Sequence, residues 1–320
     1  MKYFLFFLLF IIVILSLFIG QTDLDISKIW IENTPQKMIF FDLRIPRTLL
    51  AFFSGAILAL SGLIFQTIFK NILTTPYTLG VASGATLFAS LAIRLELQFI
   101  VWGISAVSIF GFLGSIFSIL ILLLFAKSLH KNALLLLGIS MSLFYSALQM
   151  LVYYTSDLMQ SFQIMRFMMG SLEIAGYENL MTLGLSALIL LMITLRFKKE
   201  LGILSINDDE AFLRGVDVKK INIILLLGVS FAIGVCVSIT GPIGFVGLVI
   251  PYITRLIYKK STPHLILPTF FYGGGFLLLC DIFARIIPAS SEIPIGVITA
   301  LIGAPFFIAI LYKRFHTHRV

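Results

Sequence analysis

Long apolar runs separated by short clusters of basic and polar residues set the pattern of this chain. A helix needs about 20 apolar residues to cross the hydrocarbon core of a bilayer. Runs of that kind occupy 3–20, 48–69, 77–93, 98–126, 132–154, 179–196, 221–240, 264–287 and 294–312. The stretch "GPIGFVGLVIPYITR", from Gly241 to Arg255, is equally apolar but is interrupted by glycine and proline and is too short for an ordinary crossing. As the segment 243–258 it completes a set of about ten candidate transmembrane helices. Loops are short and no Pro/Ser-rich linker divides the chain, so 1–320 reads as a single all-α, polytopic membrane domain.

Lysine and arginine orient this domain, because they collect on the cytoplasmic side of membrane proteins. With the N-terminus inside and every segment crossing, the cytoplasmic face receives Lys2, Lys70, Lys127, Lys131, Arg196, Lys198, Lys199, Arg214, Lys219, Lys220, Arg255, Lys259, Lys260, Lys313, Arg314 and Arg319. The outer face receives only Lys28, Lys37, Arg44, Arg47, Arg94, Arg166 and Arg285. Both termini are then cytoplasmic. The run "MKYFLFFLLFIIVILSLFIG" is expected to be an uncleaved first helix, since its apolar core from Tyr3 to Ile19 exceeds a signal h-region and no A-x-A site follows.

The same bookkeeping constrains the broken segment. Lys219 and Lys220 lie inside, and so do Lys259 and Lys260, so the chain between them crosses an even number of times. Two full spans need about 40 residues before any turn, more than the interval holds. After a full helix over 221–240 the return must be short or distorted, and irregular backbone at membrane depth survives only inside protein or along a cavity. The segment is therefore expected to be packed among other helices, with Pro242 at the outer turn and Pro251 bending or ending the helix. It is read as a packing element that does not touch substrate.

Composition agrees with this picture. With 59% hydrophobic and 12% charged residues and a mean hydropathy of +1.07, no soluble domain of this size is feasible. The net charge of +8 follows from the cytoplasmic lysines and arginines and implies no nucleic acid. Cys236 and Cys280 sit in apolar runs without a C-x-x-C pair and read as small buried hydrophobes. No P-loop, H-E-x-x-H or G-x-S-x-G pattern is present, and the histidines (His130, His264, His316, His318) all lie near cytoplasmic ends. No catalytic residue, metal ligand or bound cofactor is expected, and an enzyme is disfavoured.

Four features stand out. Gly55, Ala59, Gly62 and Gln66 form one stripe of the second segment, and "TLGVASGAT" opens the third with Gly80, Ser83, Gly84 and Thr86. Such small faces serve either close helix packing or a smooth pathway wall. Asp281 and Arg285 are spaced i, i+4 near the outer end, where a self-satisfied ion pair is the simplest reading. The absence of other mid-span carboxylates or histidines weakens proton- or sodium-coupled transport. The loop "SINDDEAFLRGVDVKK" can form a short helix, capped by Asn207 or Asp208 with Asp209 and Glu210 at its positive end. There Phe212 and Val216 share a face and Gly215 closes the turn in the left-handed conformation, giving a docking surface or a plain amphipathic loop. Finally, "DLRIPRTLL" sets Arg44 and Arg47 at the outer end, where they either snorkel to head groups or recognise a carboxylate-bearing partner.

Three stretches together carry a family resemblance: "LRIPRTLLAFFSGAILALSGLIFQ" with "NILTTPYTLGVASGA", then "GPIGFVGLVIPYITRL", then "LCDIFARIIPASSEIPIGVITALIGAPFFIAIL". From about residue 40 to 312 the chain resembles the permease subunits of bacterial ABC importers for iron–siderophore complexes, haem and vitamin B12, the FecCD/BtuC-like family. The resemblance implies a BtuC-like type II importer fold of ten helices in the cytoplasmic (inner) membrane. It implies a second permease subunit in a homodimer with the path at the interface, two cytoplasmic ABC ATPase subunits that use ATP and Mg, and an extracytoplasmic substrate-binding protein. By matching positions it implies that Arg44, Arg47 and Arg285 dock the binding protein. The loop at about 200–220, with Asp208, Phe212, Leu213, Gly215 and Val216, would couple to the ATPase. Gly62, Gln66, Asn71, Leu73 and Ser83 would lie along the inner gate or pathway. The chain departs from the family pattern at Ile72, Arg214 and Tyr252, where proline, leucine and histidine are common. A stand-alone secondary transporter or channel is the alternative, distinguished by whether an ATPase co-purifies.

Overall fold

The structure, a computed structural model, describes residues 2–20, 25–31, 34–101, 104–125, 131–172, 177–206, 208–287 and 293–317. Its helices are α1 Lys2–Phe18, α2 Pro35–Met38, α3 Ile45–Ile68, α4 Val81–Arg94, α5 Ala106–Phe125, α6 Lys131–Tyr154, α7 Leu158–Met168, α8 Tyr177–Arg196, α9 Lys198–Leu204, α10 Asp208–Leu213, α11 Val218–Thr240, α12 Val246–Tyr258, α13 Ile266–Ile286 and α14 Ile295–Thr317. Six of the described helical stretches are long and apolar enough to cross a membrane, and shorter apolar helices cover 8–18, 81–94, 246–258 and 295–309. Each expected segment overlaps one of these.

Helix α3 is the centre of the bundle. It packs against α13, α12, α8 and α11, and from Ser54 to Ile68 every residue is buried. In lipid there is no hydrophobic drive between helices, so close approach through small residues holds them together. A Cβ on Gly55 would strike the Gly273 carbonyl of α13, and one on Gly62 would strike the Gly247 carbonyl of α12. The glycine stripe is therefore where α3 receives α13 and α12. At the periphery, α5 exposes Leu113, Phe117 and Leu120, and α6 exposes Leu143, Phe144 and Leu151, the apolar outer surface a lipid-embedded protein requires.

The structure corrects several boundaries. The segment 77–93 becomes helical only at Val81. Before it, Thr75 and Thr78 exchange bonds in a turn, and Gly80 at φ +77° turns the chain into α4. The segment 98–126 starts with a small antiparallel hairpin, β1 Ile100–Val101 paired with β2 Ile104–Ser105, and is helical only from Ala106. An additional helix, α7, fills a stretch where the apolar pattern predicts only a loop. Its start is fixed by a capping box between Asp157 and Gln160, and its length of 11 residues is below what a crossing requires.

The short return leg is as compact as the charge pattern demands. Thr240 ends α11, Gly241 at φ +68° turns the chain, and α12 follows with 13 residues, about 20 Å at 1.5 Å per residue. Pro251 does not end this helix; Lys259, left-handed at φ 46°, does. A proline inside a helix leaves the carbonyl four residues back without its donor, and here that carbonyl belongs to Gly247. Gln66 of α3 supplies the missing donor from Nε2 at 3.3 Å.

Candidate functional site

The C-terminal ends of α1 and α13 and the N-terminal end of α3 converge on a buried charge cluster. Asp281 is fully buried on α13. Its Oδ1 accepts from Arg47 Nε at 3.1 Å and Nη2 at 2.9 Å, and its Oδ2 faces Arg285 Nη2 at 2.6 Å in an ion pair set off the hydrogen-bond axis. The expected i, i+4 pair thus forms, with a third member from α3. Arg285 also donates to the Ser16 and Ile19 carbonyls at 3.1 and 3.0 Å and to Ser16 Oγ at 2.8 Å. Arg44 donates to the Leu17 carbonyl at 3.2 Å and to that of Phe18.

This arrangement gives two of the three arginines a structural task. The last carbonyls of a helix have no internal partner and carry partial negative charge, and in a bilayer they must be satisfied from elsewhere. Two guanidiniums close the C-terminus of α1, and Ser16 Oγ bonds Thr48 Oγ1 at 3.0 Å to tie α1 to α3. Arg44 and Arg285 are each 5% exposed. The Arg47 side chain keeps 15% and lines an outer cavity of about 310 Å³ together with Arg166 and Met165 of α7.

Beside this cavity three chain segments are stitched through their backbones. Ser171 N donates to the Thr240 carbonyl at 2.8 Å, and Gly296 N to the Met169 carbonyl at 3.1 Å. Gly170 lies against Pro242, Gly241 against Phe167 and Gly296 against Met169, each too close for a Cβ. A second cavity, of about 660 Å³, opens next to the junction between the turn 242–245 and α14, with Phe245, Met168, Val297 and Leu301 among its walls. The broken segment therefore divides its roles: the helix α12 is packed, whereas the turn before it borders open space.

The inner positions fall into separate groups. Gly62 and Gln66 meet at Gly247 and are buried in the α3–α12 contact of this chain. Asn71 and Leu73 share the turn after α3, where Asn71 Oδ1 accepts from Leu73 N at 2.9 Å and Leu73 is 45% exposed. Ser83 stands apart, half-buried in the first turn of α4.

At the end of the bundle where α8 finishes and α11 begins, α9 and α10 form an elbow between them. Asn207 lies outside the described residues, as do the side chains of Asp208 and Asp209. Gly215 is left-handed at φ +76°, and Asp217 caps α11 through Lys220 N at 3.0 Å. Phe212 is 77% and Leu213 83% exposed, whereas Val216 is half-buried. Sequence reasoning passed over α7, Ser16 and Phe245. The Asp157-x-x-Gln160 capping signal was the legible trace of the first; for the other two, apolar patterning carries no signal.

Comparison with known proteins matches this architecture. A model of the FecCD transport family covers residues 8–313. The vitamin B12 import system permease protein BtuC of Yersinia enterocolitica is 35% identical over 95% of this chain and 91% of its own. The hemin transport system permease protein HmuU of Yersinia pestis is 33% identical over 96% of this chain and 95% of its own. A metal-chelate type ABC transporter solved in an inward-facing conformation superposes with a TM-score of 0.87 at 33% identity, covering 97% of this chain and 98% of its own.

Proposed function

The chain belongs to the FecCD transport family, and from that premise we propose that it is the membrane-spanning permease of an ABC importer carrying a metal chelate, an iron–siderophore first, inward across the bacterial cytoplasmic membrane. The chain works as a homodimer with two cytoplasmic ATPase subunits, which use ATP and Mg, and with an extracytoplasmic binding protein. The observation that carries this reading is the elbow of α9 and α10. Phe212 and Leu213 project beyond the lysine-rich face at 77% and 83% exposure, and an apolar knob in water calls for a partner that buries it. Nucleotide-driven closure of the ATPases would move the elbow, and α8 and α11, continuous with it, would transmit the motion.

On the outer face the docking role falls on Arg47, which borders the cavity, while Arg44 and Arg285 hold the frame through α1. The exposed turn of Asn71 and Leu73 forms the inner end of the pathway, while Gly62 and Gln66 serve the packing of α3 on α12 and Ser83 stands apart from both. The deciding experiment purifies the tagged permease from its own cell and asks whether an ATPase comes with it. Burial of a Phe and a Leu is worth about 3–6 kcal/mol together, so Phe212→Ser/Leu213→Ser should weaken that association by at least about a hundredfold. Full co-purification by the double variant, with transport intact, would refute the coupling role; growth on iron–siderophore, haem or cobalamin as the defined source names the cargo.

A further inference from the structure

Phe245, the residue that leads into α12, holds a backbone conformation its side chain disfavours. It stands at φ 65° and ψ −30°, and Val246 N donates across it to the Gly244 carbonyl at 2.8 Å. That is a γ-turn of the rare, strained kind, centred on a phenylalanine beside a glycine that would carry it without steric cost. Such strain persists only where the surroundings impose it, and it collects at switch regions.

The seat of the ring imposes it here. Gly303 of α14 is buried, and a Cβ on it would overlap the Phe245 side chain; two turns earlier on the same face, Gly296 lies against Pro242. The next stripe of α14 is open: Val297 and Leu301 are 38% and 65% exposed and wall the cavity of about 660 Å³ together with Met168, Met169 and Phe245 itself. On either side the chain is fixed. Gly170 packs on Pro242, Ile243 and Val246 are fully buried, and Val249 N bonds the Phe245 carbonyl at 2.9 Å. Between them Gly244 has open space around it, so the freedom to move is confined to residues 244 and 245.

We propose that Phe245 is the closing group of the pathway, an assignment that rests on the reading of the chain as a transport permease. Seated on Gly303, as here, the ring leaves the cavity open. Relaxation of the γ-turn to negative φ takes Cβ off α14 and carries the ring into the cavity, over Val297 and Leu301. A ring with only a packing task gains nothing from a strained backbone. A ring that must leave its seat gains a lower cost of leaving, so a small displacement of α14 against the turn decides between the two positions.

The test places a thiol in the cavity, Leu301→Cys, in the full-length permease in lipid nanodiscs. Cys236 and Cys280 are buried, so a small maleimide, read by intact mass, reports on position 301. In the permease alone that thiol should react freely. Adding Gly303→Ala, which denies the ring its seat, should slow the reaction about tenfold, as for a cavity closed roughly nine-tenths of the time. Adding Phe245→Gly as well should restore the rate, whereas Phe245→Leu, which keeps a plug, should not. A Gly303→Ala variant that reacts as fast as its parent, or slow reaction that survives Phe245→Gly, would overturn the proposal. If Gly303→Ala fails to fold, the permease with its ATPase, trapped by ATP and vanadate, asks the same question. Protection of Leu301→Cys on trapping, lost with Phe245→Gly, is then expected, and equal rates with and without trapping would overturn the plug. The arms on the permease alone need no ATPase, so a chain that recruits none would refute the transport reading while these rates still decide the plug.

Discussion

Replacing Asp281 by Asn should destabilise the permease more than replacing Arg47, the more exposed of its two arginine partners. The carboxylate is fully buried, and the side chains it balances are 3% exposed for Arg285 and 15% for Arg47. Removing one member of a buried pair costs about 3–5 kcal/mol, because the remaining charge stays behind without compensation. Asn keeps an acceptor oxygen, and Arg285 keeps its contacts to Ser16 and Ile19, so the lower end, about 3 kcal/mol, applies. At roughly 2 °C per kcal/mol for a chain of this size, the midpoint should fall by about 6 °C. Arg47→Gln removes the more exposed partner and leaves Asp281 paired with Arg285, so about 1–2 kcal/mol and 2–4 °C are expected. Both cysteines are buried, so a thiol-reactive dye reports unfolding directly, scanned at one fixed rate because unfolding is irreversible. Cys280 adjoins Asp281, and monodispersity after heating, read by size-exclusion chromatography, guards against a local artefact. Midpoints in which Asp281→Asn is no lower than Arg47→Gln would refute the account of the cluster as one carboxylate holding two cations.

Further outcomes follow from the same geometry. Gln66→Met and Pro251→Ala should be coupled: once the alanine variant restores an N–H to the Gly247 carbonyl, loss of Gln66 should matter less by about 1 kcal/mol, and strict additivity of the melting shifts would sink the donor exchange. Gly62→Val should abolish accumulation of folded protein, since its Cβ would overlap the Gly247 carbonyl, whereas Gly244→Ala, with open space around it, should express normally; equal yields would contradict the packing. Gly215→Pro demands a φ near −65° where the chain has +76°, so uptake should be lost while the membrane domain still melts as the parent does; normal uptake would contradict the coupling role of the elbow.

Much of the architecture was legible because the bilayer permits so few solutions. A run of about 20 apolar residues has to be a helix, since no water satisfies its backbone, and the lysines at 219, 220, 259 and 260 forced the compact return through α12. The elbow was legible as a short helix, because acidic residues and a glycine stop are local signals; its apolar knob was placed on Phe212 and Val216, whereas the structure exposes Phe212 and Leu213 and half-buries Val216. Helix α7 was not, as eleven residues of mixed polarity lie beneath any crossing criterion. The hold of Arg44 and Arg285 on the end of α1 was not legible either, because that end is distant in sequence and marked by nothing but backbone.

Sequence alone thus determined that the chain is a bundle of apolar, membrane-spanning helices and where most of them lie. These follow from the transfer energetics of single residues and short windows. Only the tertiary structure decided what the exceptional polar groups do. Gln66 satisfies the carbonyl that Pro251 leaves without a donor, Asp281 holds Arg47 and Arg285, and Arg44 closes α1. Each of these is a pairing between a group left unsatisfied by its own helix and a side chain from another, and inside a membrane the identity of that other helix depends on packing, which no local pattern encodes.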